Sequence, residues 1–160
     1  MINLKKIIAI VAITFLTFTQ TEAARRFISF DTGDLMLSKQ GAAMKIAVSD
    51  NDNIGVKLAL KNLCNDFNAV NGSTVSVTNN AEGSRIIVGT LGMSTLIDQM
   101  AKQGKIDASL LKGKTEKYVI TTVDGSLVIA GSDRRGTIYG IYELSRQIGV
   151  SPWYYWMDVP

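Results

Sequence analysis

Few side chains here can do chemistry. The 160-residue chain has no histidine and one cysteine. The usual general base and metal ligand are therefore missing, and no internal disulfide can form. Cys64 follows Leu63 in an amphipathic stretch and, with no histidine to activate it, reads as a buried, inert thiol. Catalysis would have to rest on carboxylates, Tyr, Lys or Arg. Asp31 and Asp34 flank a glycine turn, "DTGD", and nominate no acid–base pair. "DNDN" at 50–53 lacks the glycine and the distant glutamate of a calcium loop. "GSDRRGT" at 131–137 has the glycine spacing of a phosphate loop, but Thr137 and Ile138 stand where that loop needs Lys and then Ser or Thr. The simpler account is that Asp133 caps a helix while Gly131 and Gly136 allow a tight entry. "GTLG" at 89–92 is a glycine turn at the end of an apolar strand, where open sheets often bind ligands, and it serves equally as a turn before a helix. Trp153, Tyr154, Tyr155 and Trp156 form the densest ring cluster, suited to stacking on sugars or to docking on another domain.

The elements that position these residues follow from pattern. "RRFISF" and "LMLS" read as short strands about the turn at 31–34, and "MKIAVS" as a third. Asp52 or Asn53 caps a helix whose Val56, Leu60, Leu63 and Phe67 share one core face, with Gly72 ending it. "STVSVT" alternates as a strand, and "SRIIVGTLG" is a continuous apolar strand buried on both faces. A second helix starts near Ser94, carrying Leu96, Ile97 and Met100, and "KIDASLLKG" is a loop with one short helical turn. Asp124-Gly125 joins two β-rich runs as a hairpin. A third helix spans about 134–148, with Ile138, Ile141, Leu144 and Ile148 inward. The order implies an α/β layered domain: a mixed sheet flanked by about three helices.

"MINLKK", a short apolar run and "TQTEA" form a secretory signal peptide over 1–23, cleaved after Ala23, which places the mature chain outside the cytoplasm, secreted or periplasmic. No cysteine follows the run, so the signal is not a lipoprotein's. Losing Lys5, Lys6 and Glu22 leaves a slightly basic chain whose cations are scattered, which argues against nucleic acid and against membrane association after cleavage.

The block "GSDRRGTIYGIYELSRQIGVSPWYYWMDVP", preceded in order by "RIIVGTLG", "STLID" and "IDASLLKGK", closely resembles the N-terminal region of glycoside hydrolase family 115, the xylan α-glucuronidases. The helix "GTIYGIYEL" is more loosely similar to the accessory domains preceding the barrel in families 67 and 20. The resemblance implies an N-terminal accessory domain over 24–150, with 151–160 leading toward a (β/α)8 barrel that the chain does not contain. It further implies a parent enzyme that removes 4-O-methyl-glucuronic acid from xylan by inversion, with no cofactor and no metal. Catalytic residues would come from the barrel, so none is assigned and the fragment alone is expected to be inactive. Its partners would be that barrel and xylan or a glucuronoxylan-type polysaccharide. Asp133, Arg134, Arg135 and the rings Trp153, Tyr154, Tyr155 and Trp156 are the segments it could lend to substrate, an arginine being suited to a uronate carboxylate. The alternatives are a free-standing carbohydrate-binding module or an interaction domain using the same rings.

Overall fold

A computed structural model describes residues 26–31 and 33–151. Five strands, β1 (Ala43–Val48), β2 (Thr74–Thr78), β3 (Ile86–Thr90), β4 (Tyr118–Val123) and β5 (Ser126–Gly131), form one sheet in the order β2-β1-β3-β5-β4. The first four neighbours run parallel, and β4 closes one edge antiparallel to β5. The Asp124-Gly125 hairpin makes that reversal. Both residues have positive φ, 49° and 76°, as a tight two-residue hairpin demands.

Period-two alternation divides the sheet between two cores. Met44, Ile46 and Val48 of β1, Ile86 and Val88 of β3, and Leu127 and Ile129 of β5 face one side. There they meet α1 (Ile54–Asn71) and α3 (Arg134–Gln147) through Val56, Leu60, Leu63, Phe67, Ile141 and Leu144. The intervening Ala47, Ile87, Val128 and Ala130 face the other side and pack with Ile97 of α2 (Thr95–Lys102), Ile106 and Leu111. The continuous apolar strands β3 and β5 are buried along their whole length because helices cover both faces. Leu60, Leu63, Ile129 and Ile141 are fully buried, each contributing about 1.5–3 kcal/mol of transfer free energy.

Helix ends follow the sequence closely. Asn53 caps α1 by accepting from Gly55 N at 2.9 Å, and Gly72 ends it at φ 70° with its N–H on Asn68 O. Ser94 caps α2, and a 3-10 turn occupies Ala108–Leu110 within the loop that follows.

The region before β1 departs from expectation. Neither "RRFISF" nor "LMLS" forms a strand over its described residues; bends occur at 30–31 and 34–35. Ile28, Leu35 and Leu37 pack on the core, but among the described residues none of this segment's N–H groups reaches a strand. Alternating apolar residues gave the segment a face to bury without a ladder to join. Within α3, Ile138 is only partly buried, at the rim of the core. Among the described residues no helix is long and apolar enough to cross a membrane. The segment 1–23 assigned to a signal lies outside the described residues.

Candidate functional site

In an open parallel sheet, ligands favour the carboxyl ends of strands where successive helices leave on opposite faces. Here that point lies between β1, which leads into α1, and β3, which leads into α2 on the other face. Side chains of this chain fill it. Asp52, 5% exposed, accepts from Thr90 N at 2.7 Å and from Thr90 Oγ1 at 2.9 Å, and Asn53 N donates to it at 2.7 Å. Thr90 Oγ1 lies 2.8 Å from Thr137 Oγ1, which in turn is 2.9 Å from Asp133 O. With the Thr90 proton committed to Asp52, the single Thr137 proton serves either Thr90 or the Asp133 carbonyl. Ser49 Oγ, 3.0 Å from Thr95 Oγ1, extends the polar layer on the α2 side. The end of β3 is thus tied to the entrances of α1 and α3, and the end of β1 to α2, by side chains that occupy the crevice.

The loop into α3 is equally committed. Asp133 Oδ1 accepts from Gly136 N at 2.7 Å and Oδ2 from Glu116 N at 2.8 Å. These two N–H groups hold its carboxyl below the ordinary aspartate range. Ser132 N donates to Lys117 O, and Lys117 N to Ser132 Oγ, so the strand entrance and the helix entrance clamp each other. Glycine is required on this path. A Cβ on Gly131 would collide with Thr137, and one on Gly136 with the Lys117 carbonyl oxygen. Arg135 pairs with Glu116 at 2.8 Å and donates to Tyr139 OH at 3.0 Å; that hydroxyl and the Glu116 charge raise its pKa above the ordinary arginine value. Arg134 is exposed, and its side chain makes no hydrogen bond or ion pair among the described residues.

Of the sequence-predicted candidates, the structure brings Asp133, Arg134 and Arg135 together at the head of α3 and gives the first and third structural partners. The rings Trp153, Tyr154, Tyr155 and Trp156 lie outside the described residues. "GTLG" is a turn before α2, with Gly89 packed so closely that a Cβ would strike Ser94 Cβ and Ile97 Cγ1. Among the described residues, no three His, Cys, Asp or Glu side chains gather as a metal site. Cys64 is half-buried, and burial pushes its thiol pKa up, as an inert thiol requires. It lines an open groove of about 730 Å³ between α1 and the edge strand β2, together with Lys57, Lys61, Val75 and Val77.

Sequence reasoning missed the Asp52–Thr90–Thr137 network. The available signal was an aspartate beside a second residue, Asn53, that suffices as a cap.

Comparison with known proteins agrees with the architecture. The family model for the N-terminus of glycosyl hydrolase family 67 matches residues 28–144. Among solved structures, a family GH115 4-O-methyl-α-glucuronidase, BtGH115A, with specificity for decorated arabinogalactans, is 40% identical with a TM-score of 0.68. The alignment covers 76% of this chain and 15% of that one. CpGH84D, 12% identical with a TM-score of 0.55 over 78% of this chain and 20% of its own, shares the fold. The chain therefore spans a small part of the enzymes it matches. No curated protein matches it by sequence.

Proposed function

The chain belongs to the family of glycosyl hydrolase family 67 N-terminal domains, and from that premise we propose that it is the non-catalytic accessory domain of an exported α-glucuronidase. The observation that carries this reading is the 40% identity to part of a 4-O-methyl-α-glucuronidase. In the parent enzyme a catalytic (β/α)8 barrel would supply the chemistry. Inverting hydrolysis needs two carboxyl groups about 6.5–9.5 Å apart, one as acid and one activating a water. The carboxyl groups best placed in the described part, Asp52 and Asp133, are consumed by backbone and hydroxyl donors. The domain's contribution is then to brace the barrel, and the substrate is a polysaccharide bearing 4-O-methyl-glucuronate side chains, such as glucuronoxylan. The apolar run behind Lys5 and Lys6 supports export to the periplasm or medium.

The test measures 4-O-methyl-glucuronic acid release from glucuronoxylan and from a decorated arabinogalactan. The 160-residue chain alone should release none from either, while BtGH115A carrying this chain's residues 28–150 in place of its matched segment should release it. Release by the chain alone would overturn the non-catalytic reading. A folded chimera without activity would overturn its assignment to an α-glucuronidase.

A further inference from the structure

One edge of the sheet carries free backbone groups. β2 lies outermost and is hydrogen-bonded on one side only, to β1. Thr74 N donates to Ala42 O, and successive residues of a parallel strand face its two sides alternately. Thr74, Ser76 and Thr78 therefore serve β1, while the N–H and C=O groups of Val75 and Val77 point away from the sheet. Among the described residues no backbone group pairs with them. Edge strands are commonly guarded by a charge, a proline or a bulge. β2 bears neither charge nor proline, and its register with β1 is unbroken.

The strand is also its own complement, because "TVSVT" reads the same in both directions about Ser76. Laid antiparallel against a second β2, with Ser76 on the two-fold axis, Val75 stands opposite the partner's Val77 and Val77 opposite the partner's Val75. Each of these pairs joins residues whose backbone groups point outward, so each exchanges two N–H···O=C bonds. The same pairs set β-branched side chains directly across from one another. Val75 already packs on the α1 side of the sheet, and Val77, on that same side, is 51% exposed. The open groove of about 730 Å³ between α1 and β2 keeps the helix clear of this edge, which leaves room for a second strand.

We propose that β2 is a homodimerisation edge, pairing antiparallel with β2 of a second copy so that the two five-stranded sheets become one. The symmetry of the strand identifies the occupant. A two-fold pair satisfies the outward groups of Val75 and Val77 on both copies and closes on itself, whereas pairing with the other edge strand, β4, would run head to tail and propagate. Five residues bury well under the ~1,200 Å² of a standard interface, so the dimer is weak, with a dissociation constant on the order of 100 µM. The inference is independent of the function proposed above, and its failure leaves that reading untouched.

Disulfide trapping tests the register. In a Cys64→Ser background, Ser76→Cys and, separately, Thr74→Cys are introduced into the 160-residue chain. Both are oxidised with glutathione disulfide in about 0.3 M salt, which screens Lys57 and Lys61 of the two grooves. The pairing sets the two position-76 Cα atoms about 4.5 Å apart, within disulfide range, and the two position-74 Cα atoms about 13 Å apart. Ser76→Cys should therefore cross-link at least tenfold faster than Thr74→Cys, and equal rates would overturn the proposal. Sedimentation velocity of the unaltered chain, over concentrations spanning the expected constant, should show a monomer–dimer equilibrium. Val77→Pro removes an N–H that β1 does not use, and should weaken that equilibrium at least tenfold with the circular dichroism of the fold retained. A chain that stays monomeric, or association that Val77→Pro leaves unchanged, would overturn the proposal. So would species larger than a dimer that Val77→Pro abolishes, since β2 would then pair with a different strand. If Val77→Pro does not fold, the cross-linking comparison decides alone.

Discussion

Replacing Asp52 by alanine tests whether the filled crevice is structural. The carboxyl group is almost inaccessible, and so is Thr90, 2% exposed. Alanine strands the Thr90 N–H away from water, a cost of about 1–3 kcal/mol for one buried donor. Thr90 Oγ1 keeps Thr137 as a partner, so its loss is a weakened bond of about 0.5–1.5 kcal/mol, and Asn53 N is near enough to the surface to find solvent. The expected destabilisation of Asp52→Ala is thus about 2–4 kcal/mol. Asp52→Asn should cost somewhat less: its amide oxygen still serves Thr90 N, and Thr90 Oγ1 reverses to accept from the amide and donate to Thr137, although the NH2 then faces Asn53 N–H, which must turn to solvent. Asp50→Ala, which loses only an exposed contact to Asn79, should stay within about 0.5 kcal/mol of wild type. Urea unfolding followed by circular dichroism measures all three, with an unchanged m-value required for the comparison. If Asp52→Ala proves as mild as Asp50→Ala, or milder than Asp52→Asn, the network does not hold β3 to the helices as described.

Gly136→Ala should destabilise by about 3 kcal/mol or more, because its Cβ would meet the backbone carbonyl of Lys117 in a well-packed site, whereas Gly33→Ala, with open space around it, should be nearly neutral; thermal unfolding distinguishes them. Asp133 has its pKa lowered in the folded state by the N–H groups of Gly136 and Glu116. Its contribution is therefore fully present above the unfolded value of about 3.9 and is lost as pH falls through the lower folded value. Urea midpoints between about pH 5 and pH 2 should fall less steeply for Asp133→Asn than for wild type, and equal slopes would show that the cap is not the titrating group.

Local chemistry made much of this legible. Asn53, Ser94 and Asp133 announce their helices because a cap bonds to N–H groups two or three residues away, and Gly72 and Gly125 announce turns through φ alone. The core face of α1 appears in sequence because helical spacing places Val56, Leu60, Leu63 and Phe67 together whatever they meet. Asp52 is different. Its partner lies 38 residues away, and no local spacing encodes a bond made across a strand end. The segment at 26–39 failed for the complementary reason: its pattern specifies a buried side, but a strand exists only if another strand accepts its backbone. Among the candidate site residues, the charges of Arg134 and Arg135 were visible, and which one Glu116 would claim was not, since that depends on the left-handed turn at Glu116, φ 57°.

The strand order also imposes a schedule on synthesis. β5 occupies an interior place, between β3 and β4, although among the described strands of this sheet it is made last. Until Ser126–Gly131 has emerged, β3 keeps an open, wholly apolar edge, and until α3 follows, α1 covers its face of the sheet without its neighbour. The β4–β5 hairpin must form from adjacent residues and then slot into the growing sheet as a unit. The sheet therefore completes late, and between the synthesis of β3 and that of β5 the nascent form presents a sticky edge.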